Sequence, residues 1–300
     1  MLKEMLDEND DVTLKNVQCE RNGKKIPLQE IKITLKEGNN EYETKLYYGG
    51  FKYTGILENT GVEVLEIKQI AIISQMDRVS TFECSSELIY IFYDNIVRSC
   101  PSNFVDIPTD CPTRERMGWT GDSQIIFDIA SYLFDCHSFF RKHLKDVFDR
   151  QDKDGRFPQI APYSAEDWYI GVMNGLVGWA NAGILIPYHM YLQYGNMNIL
   201  KNNYDNMVKY EKFMINRCGR GTGFYVLYIF FKSLPLSKEN KKYGINCDHS
   251  YGEWTDPEES MAYTSYVLSI MIEISNIIGR TENNSYSKNI VMALKEPIKN

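Results

Sequence analysis

From Ser85 onward the chain carries apolar residues at helical spacing over most of its length, and a chain patterned this way folds as packed helices. Ser85-Ser86-Glu87 offers an N-cap, and Leu88, Ile91, Phe92, Asn95 and Ile96 follow as an i, i+3, i+4 stripe. Residues 122–136 repeat the pattern with Ile125, Ile126, Ile129, Ala130, Leu133 and Phe134. Residues 138–148 repeat it with Phe140, Leu144, Val147 and Phe148. Further helices are expected over about 176–194, 199–216 and 257–278. Pro187 falls in the first of these and should kink it or lie near an end. The pattern predicts six helices, and a seventh if 224–234 is one. Segments 101–121 and 151–175 are left as long loops, a length that usually signals function or disorder.

Residues 1–80 read differently. Ile31–Leu35 alternates as Ile-Lys-Ile-Thr-Leu. Residues 43–53 are rich in Thr, Tyr and Phe around Gly49-Gly50, and 62–73 mixes Val, Ile and Leu after the turn signal Gly61. These suit strands of a small antiparallel sheet, too few for the about seven strands of a complete sandwich. The expected fold is therefore mainly α with a small N-terminal β part, divided into residues 1–80 and 81–300.

Apolar residues make up 43% of the 300 and charged residues 24%, an ordinary globular balance. The formal charge of −7 repels phosphate backbones and argues against nucleic acid as a partner. The N-terminus is acidic and lacks the apolar stretch of a secretory signal. No apolar run approaches the roughly 20 residues that span a bilayer. Seven scattered cysteines without a CxxC pair speak against zinc, thioredoxin chemistry and a disulfide framework. The chain reads as a soluble cytoplasmic protein with reduced thiols and no membrane partner.

The chemistry is concentrated in residues 106–122. Asp106, Asp110, Glu115 and Asp122 stand there with Arg114, Arg116 and Trp119, and two prolines and two glycines keep the segment irregular. Carboxylates accept hydroxyl hydrogen bonds and an indole face covers the apolar side of a sugar ring. Glycoside hydrolysis needs two carboxyls of unlike character, one protonated and one ionised. Glu115 lies between two arginines that would lower its pKa and two aspartates that would raise it. Each residue also has a plainer role open to it. Asp122 sits where a helix N-cap belongs, Asp110 could close an Asx-turn, and the arginines could simply pair with these acids.

The run NFVDIPTDCPTRERMGWTGD over 103–122 resembles the signature of bacterial α-L-rhamnosidases, the family 78 glycoside hydrolases. The likeness continues outside it. Gly49-Gly50-Phe51-Lys52-Tyr53 resembles the family's GFRY strand, and Thr81–Ser85 the entry to its first helix. Gly178–Ala182, Ile186–Tyr188 and Tyr251–Trp254 resemble later barrel motifs, so the resemblance covers about 40–280. It implies a partial (α/α)6 barrel, a six-hairpin glycosidase domain, preceded by the remnant of a β-sandwich and truncated at both ends. It implies inverting hydrolysis of terminal α-L-rhamnosides in a rhamnose-containing oligosaccharide or glycoside, with no cofactor and no metal. By position Glu115 matches the general acid, Asp110 and Asp122 the acids that hold rhamnose hydroxyls, and Trp119 an aromatic wall. Arg114 is a further contact in the same loop.

Three departures stand out. Asn181 replaces the family's Asp, Glu253 replaces Asp, and Lys52 replaces Arg. Trp168, Trp179 and Trp254 join the expected sugar-binding set with Asn181, although Trp179 and Trp254 suit a buried core equally well. The family's general base lies in a motif beyond the last residue here, so a fragment without turnover is the alternative reading. A half-barrel would also expose an apolar rim, which predicts homo-oligomers. Elsewhere Asp152-Lys153-Asp154-Gly155 reads as a turn rather than a calcium loop, because the remaining EF-hand acids are missing. His137 and His143 do not share a helix face.

Overall fold

The computed structural model describes residues 18–21, 24–27, 31, 33–44, 48–50, 61–113, 115–162, 168–171, 173–218, 257–282 and 284–295. The chain forms two compact units: Met1–Ile72 with Pro112–Glu115, and Ile73–Cys111 with Arg116–Asn300.

In the first unit β1 (Gln18–Arg21) pairs antiparallel with β2 (Lys24–Pro27), Gln18 opposite Pro27 and Arg21 opposite Lys24. The strands expected at 31–35 and 62–73 are not found where they are described. Among the described residues those stretches carry no strand pairing, and their apolar side chains lie open, Ile33 at 48% and Leu65 at 75% exposure. Alternation marks a strand only if a second strand accepts its ladder and a core accepts one face. Part of the segment expected at 43–53 lies outside the described residues.

The second unit is helical: α1 (Glu87–Asn103), α2 (Thr120–Leu133), α3 (His137–Asp149), α4 (Trp168–Gly171), α5 (Ala182–Tyr194), α6 (Met197–Cys218), α7 (Pro257–Ile278) and α8 (Asn284–Lys295). Between α1 and α2 lies a two-rung hairpin, β3 (Phe104–Val105) against β4 (Ile107–Pro108). The expected helix at 224–234 lies outside the described residues. Helix α8 was not read from the sequence, because Ile290 and Val291 give it only a narrow apolar stripe.

Helix α5 organises the unit. Its sequence is apolar almost all round, so it can only be stable surrounded on all sides. It packs against α2, α3, α6 and α7, and Ala182–Tyr188 are all buried. The helix starts at Ala182 rather than near residue 176, since 173–181 are taken up by turns. Pro187 therefore lies inside it, without an N–H for the Gly183 carbonyl.

Polar ties give the helix directions. Gln124 donates to the Gly178 carbonyl, Asp128 pairs with His189, and Gln193 donates to the Ser131 carbonyl at 3.2 Å. Residue numbers rise together on both sides, so α2 and α5 are parallel. Gln124 also reaches Tyr263, and the Asp128 charge acts on Tyr266, so α7 runs the same way. Helices α3, α6 and α8 each follow one of these three through the short connections 134–136, 195–196 and 279–283. The result is three helical hairpins, α2–α3, α5–α6 and α7–α8, with the N-termini of α2, α5 and α7 at one end.

The core between them is aromatic. Phe140 of α3 meets Phe127 of α2 edge-on at 4.9 Å and Phe104 at 5.7 Å. Cys100 and Cys136 are buried free thiols, both pushed up to about 11 by burial.

Candidate active site

Segment 106–122 begins at the β3–β4 turn. Asp106 takes a positive φ of 67° there and its N–H donates to the Ser74 hydroxyl at 2.9 Å. Its carboxylate accepts from Lys142 of α3 at 2.8 Å, an exposed pair that anchors the start of the loop. Asp110 is half-buried. Its N–H donates to the Met117 carbonyl at 3.1 Å and its Oδ1 accepts from the Met117 N–H at 3.0 Å. The Asx-turn open to Asp110 is thus replaced by a clasp across seven residues, which brings Met117 back beside it. In the first unit, the Gly50 N–H donates to the Pro112 carbonyl at 3.1 Å, and the half-buried Glu115 occupies a turn at the end of the Pro112–Glu115 segment.

The loop then becomes a short strand-like strip stitched to residues 158–161. The Ala161 N–H donates to the Gly118 carbonyl at 3.0 Å, and the Thr120 N–H to the Gln159 carbonyl at 2.9 Å. Trp119 bridges to Ile160 between them. The Thr120 hydroxyl, fully buried, adds bonds to the Pro158 and Gln159 carbonyls at 3.1 and 3.0 Å. Gly118 is required at this strip, because a Cβ would overlap the Ala161 carbonyl. Trp119 rests on a small apolar cluster of Ile160, Ile170 and Met173.

Residues 158–161 are in turn held from behind. The fully buried Gln159 donates through Nε2 to the Met173 carbonyl at 2.9 Å, and its N–H reaches Asn174 Oδ1 at 3.2 Å. Asn174 donates to Asp152, whose carboxylate also pairs with Arg156. Asp152–Gly155 is a turn closed by the Gly155 N–H on the Asp152 carbonyl, as the sequence suggested. Among the described residues no group of three or more His, Cys, Asp and Glu could hold a metal ion.

Helix α2 starts at Thr120, capped by Trp119, so Asp122 is not the N-cap. It stands exposed in the first turn, where the helix dipole favours a negative charge. Gly121 faces Trp179, and a Cβ there would lie 2.6 Å from the indole. The half-buried Trp179 therefore packs directly on the backbone of the first turn. Trp119, Asp122 and Trp179 are thus gathered at the N-terminal end of α2. Asn181 is fully buried, accepts from the Tyr210 hydroxyl through Oδ1 at 2.7 Å, and ties the start of α5 to α6. Arg114 and Trp254 lie outside the described residues, as does the side chain of Trp168, whose backbone opens α4.

Sequence reasoning missed Thr120, Gln124 and Gln159. Their signal is a polar side chain in an apolar context. Gln124 in particular shares a stripe with Gly121 and Asp128, at i, i+3 and i+7, facing α5 and α7.

A family model described as the bacterial alpha-L-rhamnosidase 6 hairpin glycosidase domain matches residues 77–300. An alpha-L-rhamnosidase of Formosa agariphila is 33% identical over 187 residues, covering 59% of this chain and 19% of that protein. One of Streptomyces avermitilis is 31% identical over 170 residues, covering 56% and 16%. This chain thus spans about a fifth of the length of the curated relatives it matches. Among solved structures, the alpha-L-rhamnosidase from Dictyoglumus thermophilum superposes with a TM-score of 0.59 at 28% identity, covering 74% of this chain and 23% of that one. The Streptomyces avermitilis enzyme complexed with L-rhamnose superposes with the same TM-score at 21% identity, covering 75% and 20%, which speaks to the fold alone.

Proposed function

Because the chain belongs to the bacterial alpha-L-rhamnosidase six-hairpin glycosidase domain family, we propose that it hydrolyses terminal α-L-rhamnosides with inversion, using Glu115 as general acid. The observation that carries the proposal is the gathering of Trp119, Asp122 and Trp179 at one helix end. Two indoles and an exposed carboxylate suit a pyranose, whose ring has apolar faces and a rim of hydroxyls. Asp110 and Asp122 hold hydroxyls of the rhamnose. Trp119 covers one of its apolar faces and stays in place because Ile160, Ile170 and Met173 back it. Arg114, Trp168 and Trp254 belong to the same proposed set.

In the reaction the Glu115 carboxyl gives its proton to the glycosidic oxygen as the bond from that oxygen to the anomeric carbon breaks. The aglycone leaves as an alcohol. Water adds to the anomeric carbon from the opposite face and passes its proton to a carboxylate base, which inverts the configuration. General acid catalysis of this kind contributes about 10²–10⁴ in rate.

A second reading, sugar binding without turnover, is favoured by Asn181. A neutral amide that is fully buried and held by Tyr210 cannot take a proton from water. Release of nitrophenol from p-nitrophenyl α-L-rhamnopyranoside by the purified chain separates the two. Hydrolysis that falls by about 10²-fold or more in Glu115→Gln supports the first. No release by the unaltered chain removes it, and calorimetric binding of L-rhamnose would then establish the second.

A further inference from the structure

We propose that Gln124 is a positioning residue, an amide clamp that fixes the indole of Trp179 at the end of α2. This rests on the proposed function only in taking Trp179 as a sugar-facing wall; the clamp itself is a matter of geometry. Gln124 is buried at 9% exposure on the third turn-forming position after Gly121, inside a helix whose neighbours Phe127 and Ala130 are core residues. Its Nε2 donates to the Gly178 carbonyl, the peptide group that leads directly into Trp179, and lies 3.4 Å from the Tyr263 hydroxyl of α7. One amide thus ties α2 to the turn that leads into α5 and to α7, at the end where the indoles gather. Gly178 takes a φ of 101°, so the chain turns sharply just before the indole, and the bond from Gln124 holds that turn. On its other side the indole rests on Gly121. Trp179 is therefore held at two points, its ring by the missing Cβ of Gly121 and its backbone by Gln124.

The amide orientation is set by this role. Turning it over would bring Oε1 against the Gly178 carbonyl, oxygen to oxygen. In the orientation found, Oε1 is buried with no hydrogen-bond partner among the described residues. A buried orphan acceptor costs stability that a leucine or methionine of similar volume would avoid. The donor on Gly178 is what the glutamine supplies and those residues lack.

The test is ¹⁹F NMR of the full chain labelled with fluorotryptophan. The chain has 4 tryptophans, and the Trp179 resonance is the one lost in Trp179→Phe. In Gln124→Met, which keeps volume but has no donor, that resonance shifts or broadens while the other three stay in place. In Gln124→Glu it moves at neutral pH and returns as the pH is lowered and the carboxyl, once protonated, donates to Gly178 again. Where the chain turns over substrate, Gln124→Met raises KM for the nitrophenyl rhamnoside several-fold with a smaller change in kcat. An unmoved Trp179 resonance in Gln124→Met overturns the clamp. So does a Gln124→Glu shift that pH does not reverse, which also covers the case in which Gln124→Met does not fold. Both readouts need no sugar, so they stand apart from the failure of rhamnoside hydrolysis.

Discussion

Helix α3 buries Phe140, Leu144 and Val147 to 2% exposure or less, whereas helix α1 leaves Leu88, Ile91 and Phe92 exposed at 77%, 48% and 64%. Both helices carry an apolar stripe at helical spacing. What differs is the company. Helix α3 is met by α2, by α5 and by the β3–β4 hairpin, which together enclose its apolar face. Helix α1 is engaged by β3 near its C-terminal end, and the side that turns inward there is Tyr93, Ile96, Val97 and Cys100. Periodicity tells which residues share a side of a helix. It does not tell which side a partner will reach, nor along how much of the length.

The contrast is broken most directly at Phe140. Its ring is enclosed by Phe104, Phe127 and Phe139 in edge contacts. Phe140→Ala should cost about 3–5 kcal/mol, the transfer energy of the ring together with the cavity it leaves. Urea unfolding followed by circular dichroism reads this as a lower midpoint at unchanged slope. A loss under about 1 kcal/mol would mean that the enclosed face of α3 is no more consequential than the open face of α1.

The buried face of α3 also carries a titratable group. His143 is fully buried, and neither ring nitrogen has a partner among the described residues. Burial, with a smaller push from Lys142, lowers its pKa to about 3. The folded chain therefore keeps this imidazole neutral while the unfolded chain protonates it near pH 6.5. Stability present at neutral pH is lost as the pH falls from about 6.5 towards 3, by about 3 kcal/mol between pH 7 and pH 4. His143→Leu should flatten that slope in denaturation curves taken across this range. An unchanged slope would show that another group carries it. The buried Glu211, held by the Ser287 hydroxyl at 2.7 Å, acts in the opposite sense. Burial raises its pKa, so its contribution is present at low pH and lost as the pH rises through the folded value.

Much of the helical half was legible because its stripes did find partners. Helices α3 and α7 fall within a residue or so of their sequence boundaries; a short connection sets the start of α3 and another the end of α7. Two of the boundaries that moved have a cause visible in the structure. Helix α5 begins late because 173–181 are used in turns that hold Gln159 and place Trp179. Helix α2 begins two residues early because Thr120 is drawn in by its bonds to Pro158 and Gln159. The candidate site was legible as a set of residue types in one loop. Its support was not, since the bonds from Gly118 and Thr120 to residues 158–161 span about forty positions, and no local pattern encodes a contact at that separation. The N-terminal alternation at 31–35 and 62–73 is not matched by strands among the described residues, because alternation records side-chain order and is silent on which strand completes the ladder.

The smallest expected effect sharpens the comparison from the other side. Leu88 is more than three-quarters exposed in the first turn of α1, so Leu88→Ala removes surface that already faces water. Such a change should alter stability by about 0.5 kcal/mol or less, and the gain in helix propensity from alanine works against even that loss. Urea midpoints at two protein concentrations make the measurement decisive. If the open face of α1 is as solvated as its exposure indicates, the midpoints of both proteins coincide and neither depends on concentration. A loss of more than about 2 kcal/mol that grows with protein concentration would mean that the stripe on α1 is covered in solution by a second copy of the chain. In that event the two helices would differ only in where their partner comes from, α3 finding its own within the chain and α1 between chains.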